Sequence, residues 1–91
     1  MKLFALIYTM IDIELSNANR PAHLEFLRRL VAEGKLETGW KFPHYEKGAL
    51  QGLLICKADS AEEVTAWFRE DPVIAAGART FEVREALPMS V

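Results

Sequence analysis

The alternation of apolar and polar positions divides the chain into regular segments. Residues 2–10 are nearly uninterrupted apolar chain, with Leu3, Ala5 and Ile7 on one side of an extended backbone and Phe4, Leu6 and Tyr8 on the other. That composition predicts a strand, and apolar residues on both sides predict that both faces are covered. Residues 11–19 hold Asp12, Ser16, Asn17 and Asn19, which favour a loop. Leu24, Leu27, Leu30 and Val31 then recur at helical spacing and predict a helix over 20–33 with those side chains on the core. Pro21 suits the first helical position, Gly34 suits the left-handed residue past the end, and Arg28 and Arg29 complement the C-terminal end of the helix dipole.

Residues 35–42 alternate strictly, with Leu36, Thr38, Trp40 and Phe42 opposed to Glu37, Gly39 and Lys41. A half-buried strand follows, in which Gly39 marks a bulge or a close backbone approach and which Pro43 ends. After a turn through Lys47 and Gly48, residues 50–57 form a strand apolar on both faces. Ser60 and Glu63 make a capping box for a second helix, striped by Val64, Trp67 and Phe68 and broken at Asp71-Pro72. A short helical turn over Pro72–Ala76 stops at Gly77. Residues 79–87 alternate once more, Phe81 and Val83 against Thr80, Glu82, Arg84 and Ala86, until Pro88.

The order is β-α-β-β-α-β. Right-handed crossovers turn it into an α+β, ferredoxin-like sandwich, with a four-stranded sheet and both helices on one face. At 91 residues the chain is one domain, 1–91. The uncovered face of that sheet would be an apolar patch too large for a monomer, so the pattern predicts a homodimer.

Composition narrows the field. Apolar residues are 51%, charged residues 26%, and the net charge is −2, without a basic stripe. This argues against nucleic acid as a partner, and no apolar run approaches a membrane span. Residues 1–8 read as a strand rather than a signal peptide. Cys56 is alone, which excludes an internal disulfide and suits a cytoplasmic protein; in an apolar strand it reads as a small buried hydrophobe.

Strong motifs are absent: there is no phosphate loop, no paired Cys and no His-x-x-x-His. Two distant histidines lack the spacing of a metal site, and no cofactor is implied. His23 lies in the first turn of its helix, where the positive dipole end disfavours the imidazolium; a neutral imidazole can act as a general base. Asp71 reads either as the N-cap of the turn that follows it or as a carboxylate able to orient a histidine. His44 and Tyr45 fall in a loop that could line a pocket. Tyr8 and Trp40 line a cavity or the core, with core the default. Arg20 could hold a substrate carboxylate in its fork, and Arg84 points either into the sheet interface or into water.

Several of these residues recur in one pattern. Arg20-Pro21-Ala22-His23-Leu24, Glu33-Gly34-Lys35-Leu36, Gly52, Ser60-Ala61-Glu62-Glu63 with Trp67, Asp71-Pro72 and Ala76-Gly77 together resemble the YCII (YciI-like) family over roughly residues 1–88. The resemblance implies a dimeric α+β barrel in which His23 and Asp71 meet in a pocket as a dyad. Some relatives are linked to breakdown of chlorinated hydroxyquinones, and the wider superfamily includes lactone isomerases. Where the family continues with Gly-Pro and a glycine-rich loop, this chain has Thr38-Gly39-Trp40-Lys41-Phe42-Pro43-His44-Tyr45, a bulkier and more aromatic pocket mouth.

Two functional readings follow. In one, the protein is a cofactor-independent enzyme in which His23 and Asp71 transfer protons during elimination or isomerisation of a small cyclic or aromatic molecule, with Arg20, Tyr8, Trp40 and His44 binding it. In the other, the same scaffold is a non-catalytic module for a small ligand or a partner. Side-chain geometry discriminates them: a His23–Asp71 contact opening on a cavity favours catalysis, and a filled interior favours the module.

Overall fold

The computed structural model describes residues 1–91. The chain runs β1 (Lys2–Met10), α1 (Ile13–Ala18), α2 (Arg20–Ala32), β2 (Leu36–Lys41), β3 (Leu50–Ala58), α3 (Ala61–Phe68), α4 (Pro72–Ala75) and β4 (Arg79–Ala86). The strands form one sheet in the order β2-β3-β1-β4, and every neighbouring pair is antiparallel. This is the α+β, ferredoxin-like arrangement expected from the segment order.

The two faces of the sheet differ. On β1, Phe4, Leu6, Tyr8 and Met10 are buried. The first three pack with Phe26 and Leu30 of α2, Val64 and Phe68 of α3, and Val73 of α4 in a single core. Directly paired residues share a face, so Ile7 stands with Leu53 on one side of it and Glu82 on the other, and Leu53 stands with Trp40. No helix covers this second face, and its apolar side chains are half-buried or exposed, Trp40 to 58%.

Both connections from a helix into a strand are set by glycine. Gly34 and Gly77 have φ of 74° and 78°, a conformation a Cβ disfavours. In each, the residue after the glycine closes a Schellman pair, Lys35 N–H to Leu30 C=O and Ala78 N–H to Val73 C=O, both at 2.9 Å. The first leads into β2 and the second aims the chain into β4.

Four sequence expectations are corrected. Residues 13–18 are helical, not a loop, because Asp12 accepts the backbone N–H of Leu15 at 3.0 Å and caps α1; the same polar residues that favour loops also favour N-caps. On α2 the buried residues are His23, Phe26 and Leu30, whereas Val31 is 57% exposed. The buried stripe is rotated because the histidine belongs to it, leaving Leu24, Leu27 and Val31 to line a cavity. On β2 the register slips between Leu36 and Thr38. Leu36 is therefore buried on the helix side while Thr38 and Trp40 turn to the open face, against the strict alternation of the sequence. Finally, Ser60 caps α3 by accepting from Glu63 N–H, but Glu63 reaches back to the N–H of Asp59 rather than that of Ser60.

Candidate active site

Asp71 has no exposed surface, so its carboxylate must be satisfied within the protein. Three donors do this. Tyr8 Oη donates to Oδ2 at 2.6 Å, His23 Nδ1 lies 2.9 Å from Oδ1, and the Val73 N–H donates to the same Oδ1 at 3.2 Å. The N-cap and the histidine-orienting readings of Asp71 are therefore both realised, by one oxygen. Pro72 contributes by removing the N–H that would otherwise compete at the first position of α4.

An ionised carboxylate only accepts hydrogen bonds. The contact with Asp71 thus places the ring proton of neutral His23 on Nδ1 and leaves the lone pair on Nε2. The ring is 5% exposed, and it stands edge-on to Tyr8, with centroids 5.8 Å apart. Nε2 has no hydrogen-bond partner in the protein, yet no buried side-chain nitrogen or oxygen is unpartnered; Nε2 accordingly opens onto the cavity that His23 lines.

That cavity, between α2 and the sheet, has a volume of about 400 Å³, within the range of small-molecule sites. Its apolar wall is Leu24, Leu27, Leu36 and Leu54. Gly39 and Gly52 keep the β2–β3 wall thin. A Cβ on Gly39 would collide with the Leu54 side chain, and one on Gly52 would lie 2.9 Å from the Trp40 carbonyl oxygen.

The sequence-predicted site residues are distributed as follows. His23 and Asp71 are in contact. Tyr8 lines the cavity, but its hydroxyl is committed to Asp71. Burial first, and then the charge and hydrogen bond of Asp71, hold that hydroxyl's pKa well above the usual phenol value, so it stays protonated as a donor. Arg20 lines the cavity and is exposed; Trp40 belongs to the β2 wall of the cavity, but its pairing with Leu53 sets its exposed side chain on the open face. His44 is exposed and outside the lining; its neighbour Tyr45 is the half-buried one that lines it. Arg84 is exposed on the open face, beside Ala5 of β1. Cys56 is buried, and burial pushes its thiol pKa up to about 12. No three His, Cys, Asp or Glu side chains converge as a metal site.

Sequence reasoning missed Arg79, Ser16 and Gln51. All are buried, and they are joined: Arg79 Nε donates to Ser16 Oγ and Nη1 to Gln51 Oε1, both at 3.0 Å. The guanidinium also lies over the Tyr8 ring, 5.0 Å from its centroid. The available signal was parity, because Arg79 falls on the same side of its strand as Phe81 and Val83. Gln51 gave none: it turns inward where the β1–β3 register slips between Tyr8 and Thr9.

Comparison with known proteins adds two findings. The family model described as the YCII-related domain matches residues 1–90. Among solved structures, the chain is similar to the 5-chloro-2-hydroxyhydroquinone dehydrochlorinase of Burkholderia phenoliruptrix AC1100 in complex with 2,5-dihydroxybenzoquinone. The TM-score is 0.74 at 24% identity, over 90% of each chain. No curated protein matches.

Proposed function

The chain belongs to the YCII-related family, and from that premise we propose that it is an enzyme catalysing proton transfer, in elimination or isomerisation, on a small cyclic or aromatic molecule. The observation that carries the reading is the His23 ring, held through Nδ1 by a fully buried carboxylate at 2.9 Å while Nε2 faces a cavity. Nε2 takes a proton from a ring carbon or hydroxyl of the substrate. The imidazolium that forms is stabilised by Asp71, which also fixes the tautomer that began the step. The same proton is returned to another atom in an isomerisation, or leaves with the departing group in an elimination. Neither requires a cofactor.

The dehydrochlorinase is consistent with this reading: loss of HCl is an elimination, and its bound dihydroxybenzoquinone is a small ring compound. At the present identity that likeness speaks to fold, so the chemistry rests on the dyad. Arg20 would contact substrate at the mouth, and Tyr8 acts from behind by holding Asp71.

A homodimer belongs to the same proposal. The open face of the sheet carries Ile7, Leu53, Ile55 and Trp40 with no element of the chain over it, and a second copy would bury that face against its own. A cytoplasmic location accords with the single buried free thiol; no helix is long and apolar enough to cross a membrane.

The test is turnover of a panel of hydroxyquinones, chlorinated hydroxyquinols and lactones by the wild type, His23→Ala and Asp71→Asn. Wild-type activity on a panel member, lowered about 10²–10⁴-fold in His23→Ala, is expected. Equal rates in all three proteins, or none in any, would remove the proposal.

A further inference from the structure

Proton transfer through His23 leaves one costly group at the cavity without a task. Arg79 is 5% exposed and lines the cavity, yet all its close partners are uncharged: the Ser16 hydroxyl, the Gln51 amide and the face of Tyr8. The ion pairs of the chain involve other residues, and no carboxylate lies within ion-pair distance of this guanidinium. The Asp71 carboxylate is near enough to favour its charge but is already taken up by Tyr8, His23 and Val73. A buried cation with no directly paired counter-charge is costly, and a guanidinium does not escape that cost by losing its proton.

The donors are also unevenly used. Nε and Nη1 are engaged, while Nη2 donates to nothing in the protein. Because no buried side-chain nitrogen is unpartnered, Nη2 is accessible, and the accessible space beside Arg79 is the cavity. The rest of the lining leans the same way: Arg20 and Lys41 contribute positive charge, while Arg28 and the one acid, Glu37, are each paired with a residue outside it, Glu25 at 3.4 Å and Lys57 at 2.8 Å. This happens in a chain whose net charge is −2, so the cationic lining is not a background of composition.

We propose that Arg79 is the anion-recognition residue of this cavity, its free Nη2 edge hydrogen-bonding an ionised oxygen of a small planar ligand while His23 addresses the same ring. Arg79 and His23 both pack on Tyr8 and both line the cavity, so a ring compound seated there borders both. The ionised oxygen is that of an acidic ring hydroxyl or a carboxylate. Ser16 and Gln51 are positioning residues: they fix the fork so that one edge is left for the ligand. The inference takes the cavity from the proposed function but does not need turnover.

Calorimetric titration separates the cases. The probes are 2,5-dihydroxybenzoquinone against its uncharged dimethyl ether, and benzoate against methyl benzoate, at neutral pH. The proteins are the wild type, His23→Ala, Arg79→Lys and Arg79→Met. Wild type should favour the charged member of at least one pair by about ten- to a hundredfold, the worth of a hydrogen bond between charged groups; which pair shows it identifies the oxygen. Arg79→Met should bind both members alike, and Arg79→Lys and His23→Ala should keep a preference. If Arg79→Met does not fold by circular dichroism, the wild-type preference with its reduction in Arg79→Lys supports the assignment. Equal wild-type affinity for charged and neutral members, no binding of any probe, or a preference that survives in folded Arg79→Met overturns it. A wild type that prefers the anion yet turns over nothing would sink proton transfer and leave anion recognition standing.

Discussion

Replacing Tyr8 with Phe deletes one oxygen and tests how the site is held. Tyr8 is 2% exposed, and its hydroxyl donates to Asp71 Oδ2 at 2.6 Å. The other carboxylate oxygen already serves His23 and Val73, so the variant leaves Oδ2 buried without a donor. A hydrogen bond to a charged group contributes about 1.5–3 kcal/mol, and a stranded buried acceptor moves the loss to the upper part of that range. The ring contact with Phe68, centroids 6.2 Å apart, survives, so no cavity adds to it. We expect a loss of about 2–3 kcal/mol, read as a lower urea midpoint at one fixed protein concentration and as a fall of about 10–20 °C in melting temperature. The alkaline limb gives an independent sign. The folded-state pKa of Tyr8 is raised, chiefly by burial and then by Asp71, above an unfolded value of about 10. Its contribution is therefore complete below about pH 10 and lost as pH rises through the folded value, where the unfolded chain binds fewer protons. Wild type should lose stability above about pH 10 and converge on Tyr8→Phe. A loss below about 0.5 kcal/mol at pH 7, or a gap that stays constant up to the alkaline limit of folding, would refute the account.

Other outcomes follow from single positions. Gly52→Ala puts a methyl 2.9 Å from the Trp40 carbonyl oxygen; backbone must move, and a loss of about 1–3 kcal/mol is expected by denaturant titration. Leu53→Glu places a charge between Ile7 and Trp40 on the open face and should shift sedimentation from dimer to monomer; a wild type already monomeric at micromolar concentration would end the dimer proposal. The Cys56 thiol, raised by burial to about 12, should resist a thiol reagent at pH 8 until the protein unfolds. Its stabilising share is whole below the ordinary thiol value and disappears as pH climbs toward about 12, an effect that Cys56→Ala should remove.

The strands and the longer helices were legible because each repeats its period several times, and because Pro21, Gly34, Pro72 and Gly77 mark ends by backbone geometry alone. What periodicity did not carry was phase. On α2 the buried stripe runs through His23 and Phe26, and a scheme that counts histidine as polar rotates that helix away from its true face. On β2 one extra residue in the register exchanges the two faces, and no residue type announces it. The dyad was visible only through the resemblance, since 48 positions of separation carry no proximity information. The Arg79 cluster was invisible for a different reason: its three members come from α1, a register slip and the first residue of β4, and only tertiary structure brings them together.

The sharing of one oxygen between a turn and a base has a practical corollary for anyone wishing to move this chemistry elsewhere. Oδ1 of Asp71 receives both the Val73 N–H and the imidazole, so aligning the ring and starting the short helix are one geometric event. A graft of the histidine and aspartate alone onto a foreign scaffold would lack the hinge that aims the carboxylate. The portable unit is Asp-Pro-Val with its turn, and a transplant that carries those neighbours should arrive already aimed.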